Sequence, residues 1–253
     1  MFRPIWRSTA GSSRSTRKSL QSSRESLDLL VLEDRTTPAF SEFVDPHPAP
    51  GNEFGATVVP LSTGNVVITA PDDSAGGTDA GAVYLFNGST GALISTLVGS
   101  HADDKIGTAG VTVLTNGNYV VDSSSWSGNI GAVTFGSGTT GVSGVVSASN
   151  SLVGSTPGDF IGTGVMVLPN GNYVVDSSSW SNSAGAVTFG NGMTGVSGVV
   201  SASNSLVGSI ANDFVGGEFG GSVVVLASGN YLVASPNWSG NEGAVTFGSG
   251  TAG

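Results

Sequence analysis

The chain has 253 residues, 40 glycines, no cysteine and a formal net charge of −10. Without cysteine neither a disulfide framework nor a thiolate metal centre is available, and no run approaches the roughly 18 apolar residues of a membrane-spanning helix. Seven of the eight Lys and Arg lie at or before Arg35, which leaves Lys105 alone against 14 acids in the rest; such a body has no surface for neutralising phosphates, and nucleic acid is excluded as its partner.

Residues 1–40 read as a basic, Ser-rich leader, with no apolar periodicity from Met1 to Ser26, and are expected to be disordered. A conventional secretory signal takes an apolar core of about 7–15 residues. The nearest candidate, Leu29 to Leu32, is cut from Leu27 by Asp28 and stopped by Glu33.

From residue 41 the chain repeats itself. Asn116 to Trp126 reads NGNYVVDSSSW, and Asn170 to Trp180 reads the same 54 residues later. A period of this size signals an array, propeller or solenoid. The units fall at about 52–103, 104–158, 159–212 and 213–253. Each opens with two β-branched runs about a tight turn: Gly64-Asn65, Asn116-Gly117, Asn170-Gly171 and Ser228-Gly229. Asn-Gly favours a two-residue type I′ turn, in which both central residues take positive φ. Third strands follow at Ala82 to Phe86, Ala132 to Phe135, Ala186 to Phe189 and Ala244 to Phe247. A more polar fourth strand is predicted over Val145 to Val153 and Val199 to Val207, where Ser alternates with Ala, Leu and Val. The expected fold is therefore all-β and β-propeller-like, with about four four-stranded antiparallel blades. Residues 41–45 align with 150–154, so they are expected to supply the missing strand of the last unit and close a ring. The competing reading is a piece of a longer array.

Three resemblances add to this. Leu32-Glu33-Asp34-Arg35-Thr36-Thr37-Pro38-Ala39 resembles the LEDR-TPA leader of large repeat-rich bacterial surface or secreted proteins, which implies export. Unit one, with Asn52-Glu53-Phe54-Gly55 and Gly81 to Gly91, resembles the FG-GAP propeller repeat of integrin heads. Units two to four, with NGNYVV, GAVTFG and NSLVG, resemble a bacterial repeat family of unknown function found in adhesin-like and haemagglutinin-like proteins. Together they imply a β-propeller on the outside of a bacterium. Calcium-binding FG-GAP blades carry an Asp-rich loop between strands one and two; here a two-residue turn stands there, too short for the six to eight oxygens calcium takes. Asp72, Asp73 and Asp79 lie instead in the second loop of unit one and read as a solvated acidic loop.

The candidate binding residues are Trp126, Trp180 and Trp238, in the loop after strand two, and Asp104, Asp159 and Asp213, in the links between units. In an antiparallel blade both sets lie on one face, where indoles and carboxylates would suit a glycan or a peptide. The plainer reading is that each Trp packs between blades and each Asp caps its own turn. His47 and His101 sit in links, and no catalytic Ser-His-Asp order or zinc spacing is present. Asp122 and Asp176, after the second strand of the twin units, are the one carboxylate pair to consider for glycoside hydrolysis. Their repetition points to a structural turn.

The expected function is a non-enzymatic, secreted or cell-surface scaffold for adhesion or for protein or glycan binding, without cofactor or metal. The alternatives are a glycan-acting hydrolase and an inactive fragment of a longer surface protein.

Overall fold

The computed structural model describes residues 42–217 and 223–253. The leader and its LEDR-TPA motif lie outside the described residues. The first unit forms β1 (Thr57–Pro60), β2 (Asn65–Ala70), β3 (Ala82–Asn87) and β4 (Leu93–Val98). The second contributes β5 (Gly110–Val113), β6 (Tyr119–Ser123), β7 (Ala132–Gly136), β8 (Gly144–Val145) and β9 (Ser151–Val153). The third forms β10 (Gly164–Val167), β11 (Tyr173–Ser177), β12 (Ala186–Gly190), β13 (Gly198–Val199) and β14 (Leu206–Val207). The fourth has β15 (Val223–Val225), β16 (Tyr231–Ser235) and β17 (Ala244–Gly248). The result is four propeller-like blades, antiparallel within each unit.

Strand alternation decides how the blades meet. In β6, Val121 points back into a cluster with Val67, Val83 and Leu85 of the first blade, and Val120 points forward to Tyr173 and Val175 of the third. Val174 in turn faces Tyr231 and Val233 of the fourth. Side chains of successive strand residues emerge on opposite faces, so one Val-Val pair serves two interfaces. Each interface also carries the same polar fastener. The side-chain amide nitrogens of Asn65, Asn118 and Asn172 donate to the carbonyls of Gly138, Gly192 and Gly250 in the next blade, each at 2.8 Å. Those three glycines admit no side chain, because a Cβ would lie within 2 Å of a carbonyl oxygen of Gly117, Gly171 or Gly229.

Three sequence expectations are corrected. The hairpin turns are not type I′: Gly117 has φ +85 while Asn116 is absent from the positive-φ residues. Gly117 N–H donates to the Leu114 carbonyl and Leu114 N–H to that of Asn118, which defines a three-residue loop with glycine alone in the left-handed position. Asn116 is chosen for its side chain, which donates to the Gly192 carbonyl at 2.7 Å and accepts from Asn118 N–H at 3.1 Å. Second, the single fourth strand divides. The Asn150 side chain accepts from Ser147 N–H at 3.0 Å and donates to the Val145 carbonyl at 3.0 Å, folding residues 147–150 into a turn. Before that turn β8 pairs in parallel with β4 of the preceding blade, and after it β9 pairs with β7 of its own. The third unit does the same with β13 and β14.

Third, residues 42–45 form no strand, and among the described residues β17 pairs with β16 alone. The ring expected from residues 41–45 is not closed by residues 42–45. Phe43 packs edge-on against Phe86, with centroids 5.5 Å apart, so this segment covers the outer face of the first blade. The side-chain amide of Asn52 holds it there by donating to Asp45 and to the His47 carbonyl.

Candidate functional site

The three link aspartates are buried, with their oxygens turned inward. One oxygen of Asp104 accepts from the backbone N–H groups of Ser100 and His101 at 2.7 and 2.8 Å. Its other oxygen accepts from Ser127 N–H at 2.7 Å. Asp159 repeats this with Ser155, Thr156 and Ser181, and Asp213 with Ser209, Ile210 and Ser239. Burial opposes ionisation of Asp159 and Asp213, but the converging N–H donors outweigh it and hold both carboxyls below their usual range. Each Asp therefore staples a link to the turn that follows a tryptophan. Those turns, Trp126–Asn129, Trp180–Ser183 and Trp238–Asn241, replace the loops expected there. Ser127, Ser181 and Ser239 sit in the left-handed region at φ 52 to 55, and the Asp bond to each N–H fixes that conformation.

Trp126 and Trp180 lie half-buried against the clusters between blades one and two and between blades two and three. The Trp126 indole N–H donates to Ser100 Oγ at 3.0 Å. Trp238 is the more exposed of the three. Geometry therefore brings each Trp next to its Asp-held turn, Trp126 and Trp180 as inter-blade packing, with the carboxylates sealed beneath rather than displayed beside the rings.

In unit one Asp73 takes the Trp position and is likewise buried; it accepts from the Tyr84 hydroxyl at 2.6 Å and from Ala75 N–H at 2.7 Å. The two histidines have separate partners: His47 Nδ1 lies 3.2 Å from the Tyr84 hydroxyl, and His101 Nδ1 lies 2.8 Å from Ser100 Oγ. The acidic loop of unit one already holds a cation, since Lys105 Nζ lies 2.7 Å from Asp72 and 3.5 Å from Asp79. Among the described residues no group of three or more His, Asp or Glu is placed to hold a metal ion.

Asp122 and Asp176 are buried on separate blades. Asp122 accepts one long bond, 3.3 Å, from Thr112 Oγ1, while both oxygens of Asp176 are without a hydrogen-bond partner. Desolvation pushes each carboxyl up to about 7. Both lie inside strands, Asp122 in β6 and Asp176 in β11, and not in the turn expected after the second strand.

Sequence reasoning also missed an open apolar face on the last blade. On β17, Val245 and Phe247 are 70% and 60% exposed, whereas Val83, Val133 and Val187, which precede Val245 at the same position, are at most 2% exposed. Beside this sheet, between β14 and β16, runs a groove of about 380 Å³ lined by Phe189, Leu206, Tyr231 and Phe247. The signal available was the alignment itself, since a position buried in three units and apolar in the fourth is a sheet face wherever it occurs.

No curated protein matches the chain. A repeat of unknown function, DUF5650, matches residues 60–108, 113–163, 167–217 and 225–253, one match to each blade and more than half of the sequence. The chain thus belongs to the DUF5650 repeat family.

Proposed function

We propose that this chain is a non-enzymatic, secreted or cell-surface scaffold that acts in adhesion through protein contacts. The observation that carries the reading is the inter-blade fastener: the same Asn-to-Gly bond recurs at all three interfaces and fixes the blades in a rigid series. Rigid display lowers the ordering cost of binding, which is how a fixed surface gains affinity. Protein is favoured over glycan because the accessible recognition surface is apolar sheet, while the carboxylates that would bond sugar hydroxyls are taken up by backbone donors. The resemblance of residues 32–39 to a surface-protein leader supports the location.

The test uses beads coated with the full chain and cells of the producing organism. Saturable attachment that is lost when the cells are treated with protease, and is unaffected by added polysaccharide, is the expected result. Attachment no better than albumin-coated beads overturns the reading. Polysaccharide cleavage that disappears on Asp122→Asn or Asp176→Asn would replace it with the hydrolase.

A further inference from the structure

Each junction between blades includes the tip of a turn, and the three tips differ by a few atoms. At the first, Thr63 Oγ1 donates to the Gly138 carbonyl at 2.7 Å. At the second, Asn116 stands where Thr63 does, two residues before the fastener asparagine, and its amide nitrogen donates to the Gly192 carbonyl, also at 2.7 Å. A hydroxyl carries one hydrogen, whereas a carboxamide nitrogen carries two. The second hydrogen of Asn116 meets the Met193 sulfur, which lies 3.6 Å from the nitrogen. At the third junction Asn170 donates to the Gly250 carbonyl at 2.7 Å, but the next residue is Thr251, whose hydroxyl stays in its own turn, 3.1 Å from Ser249 Oγ. Thr139 at the first junction does the same with Ser137.

The thioether comes with a second change that makes room for it. Residues 131–155 and 185–209 differ at two positions, Ser137/Asn191 and Thr139/Met193, and both lie in this turn. Ser137 Oγ closes the turn of the second blade by accepting from Thr139 and Thr140 N–H, each at 3.3 Å. In the third blade Asn191 Oδ1 does so more closely, accepting from Met193 N–H at 2.8 Å and Thr194 N–H at 3.2 Å. Residue 193 is thereby released from bonding within its turn, and its side chain reaches back to the second blade instead. Met193 is 71% exposed, whereas Met166, the other methionine among the described residues, packs against the cluster between the third and fourth blades.

We propose that Met193 is a site of oxidative modification whose sulfoxide ties the third blade more firmly to the second. The oxidant is a peroxide. A sulfur lone pair attacks one peroxide oxygen, the O–O bond breaks, and the departing oxygen takes up the proton. With hydrogen peroxide the thioether loses two electrons to become the sulfoxide, and the peroxide gains them and leaves as water. Thioether sulfur is a weak hydrogen-bond acceptor, and oxidation turns this flexible apolar side chain into a polar one with an acceptor oxygen. The second N–H of Asn116 already points at the sulfur, while the first keeps its bond to Gly192. Oxidation therefore adds a strong bond across the junction without removing one. The first junction has no second hydrogen to give, and the third has no sulfur, so the response belongs to the junction of blades two and three.

The test treats the full chain with limiting hydrogen peroxide, reads each methionine by peptide mass spectrometry, and then measures thermal unfolding. Met193 should gain one oxygen about tenfold faster than Met166, as its exposure dictates. Complete conversion of Met193 should raise the unfolding midpoint by about 2–4 °C, the scale of one hydrogen bond in a domain of this size. The same dose should leave the midpoint of Met193→Leu unchanged. In Asn116→Ala, Met193 should still react and the gain should vanish; should that variant misfold, the unaltered chain and Met193→Leu decide the matter. Met166 keeping pace with Met193, a midpoint that stays or falls once Met193 is converted, or a gain that persists in either variant overturns the proposal.

Discussion

The first and last blades end the described stack with faces of opposite fate. On β3, Tyr84 and Phe86 point away from the second blade, and both are buried because Phe43 and Phe54 lie on them, with Phe54 5.8 Å from Tyr84 and 6.0 Å from Phe86 between centroids. On β17 it is Val245 and Phe247 that point away from their neighbour, and among the described residues no aromatic side chain covers them. The repeat alone therefore leaves an apolar face at each end, as any stack of two-faced sheets must. A non-repeating segment rich in aromatics seals one. Residues 42–56, whose sequence departs from the other units, supply that cover through Phe43 and Phe54.

The sharpest way to break this comparison is to truncate one aromatic at each end. Phe86→Ala should cost about 3–5 kcal/mol in denaturant unfolding, the range for removing a buried Phe. Phe247→Ala should stay within about 0.5 kcal/mol, as exposed positions generally do. Equal costs would mean that the two faces are not different in kind.

The interior blades supply the next largest effect, and it depends on pH. The Asp122 and Asp176 carboxyls sit at about 7 in the folded chain against an ordinary 3.8. Between those values the native state keeps protons that the unfolded chain has released, so stability falls as pH rises from about 4 to about 7 and stays low above it. At about 1.4 kcal/mol for each tenfold difference in proton affinity, the loss is a few kcal/mol per site. Thermal unfolding should occur at a lower temperature at pH 8 than at pH 5, and the double variant Asp122→Asn, Asp176→Asn should flatten that difference. The end blades carry Thr69 and Ala234 at the equivalent register, so the dependence belongs to the middle of the stack.

The smallest effect tests the fastener. Asn118 joins Gly138 of its own blade to Gly192 of the next, whereas among the described residues the bond found for the Asn230 side chain is to Gly250 N–H of its own blade. Asn118→Ala should therefore cost about 1 kcal/mol more than Asn230→Ala, the worth of one additional hydrogen bond. Chemical denaturation of the two variants side by side reads the difference.

Much of the fold was legible in the sequence, because period-two alternation and a 54-residue repeat are statements about which residues face each other. The third strands begin at Ala82, Ala132, Ala186 and Ala244, as predicted. What escaped was decided by side chains bonding across the chain. The Asn116 amide selects the turn by reaching Gly192, 76 residues away. The Asn150 amide breaks a strand that alternation alone would have continued. At the candidate site, the placing of the Asp and Trp sets on one face could be read from antiparallel order, but the bonding of each inward-turned carboxylate to a Trp turn could not. It depends on left-handed backbone at Ser127, Ser181 and Ser239, residues with no intrinsic preference for that conformation.

The scarcity of cations in the body has a further consequence. For a protease that cleaves after Lys or Arg, the stretch from Thr36 to Gly253 offers one bond, Lys105–Ile106. The Lys105 ammonium is gripped by Asp72 and Asp79, while Ile106 is buried between the first two blades and its N–H donates to the Ala80 carbonyl. Cutting there requires that interface to open. The survival time of the body in trypsin is thus a direct clock for separation of blades one and two.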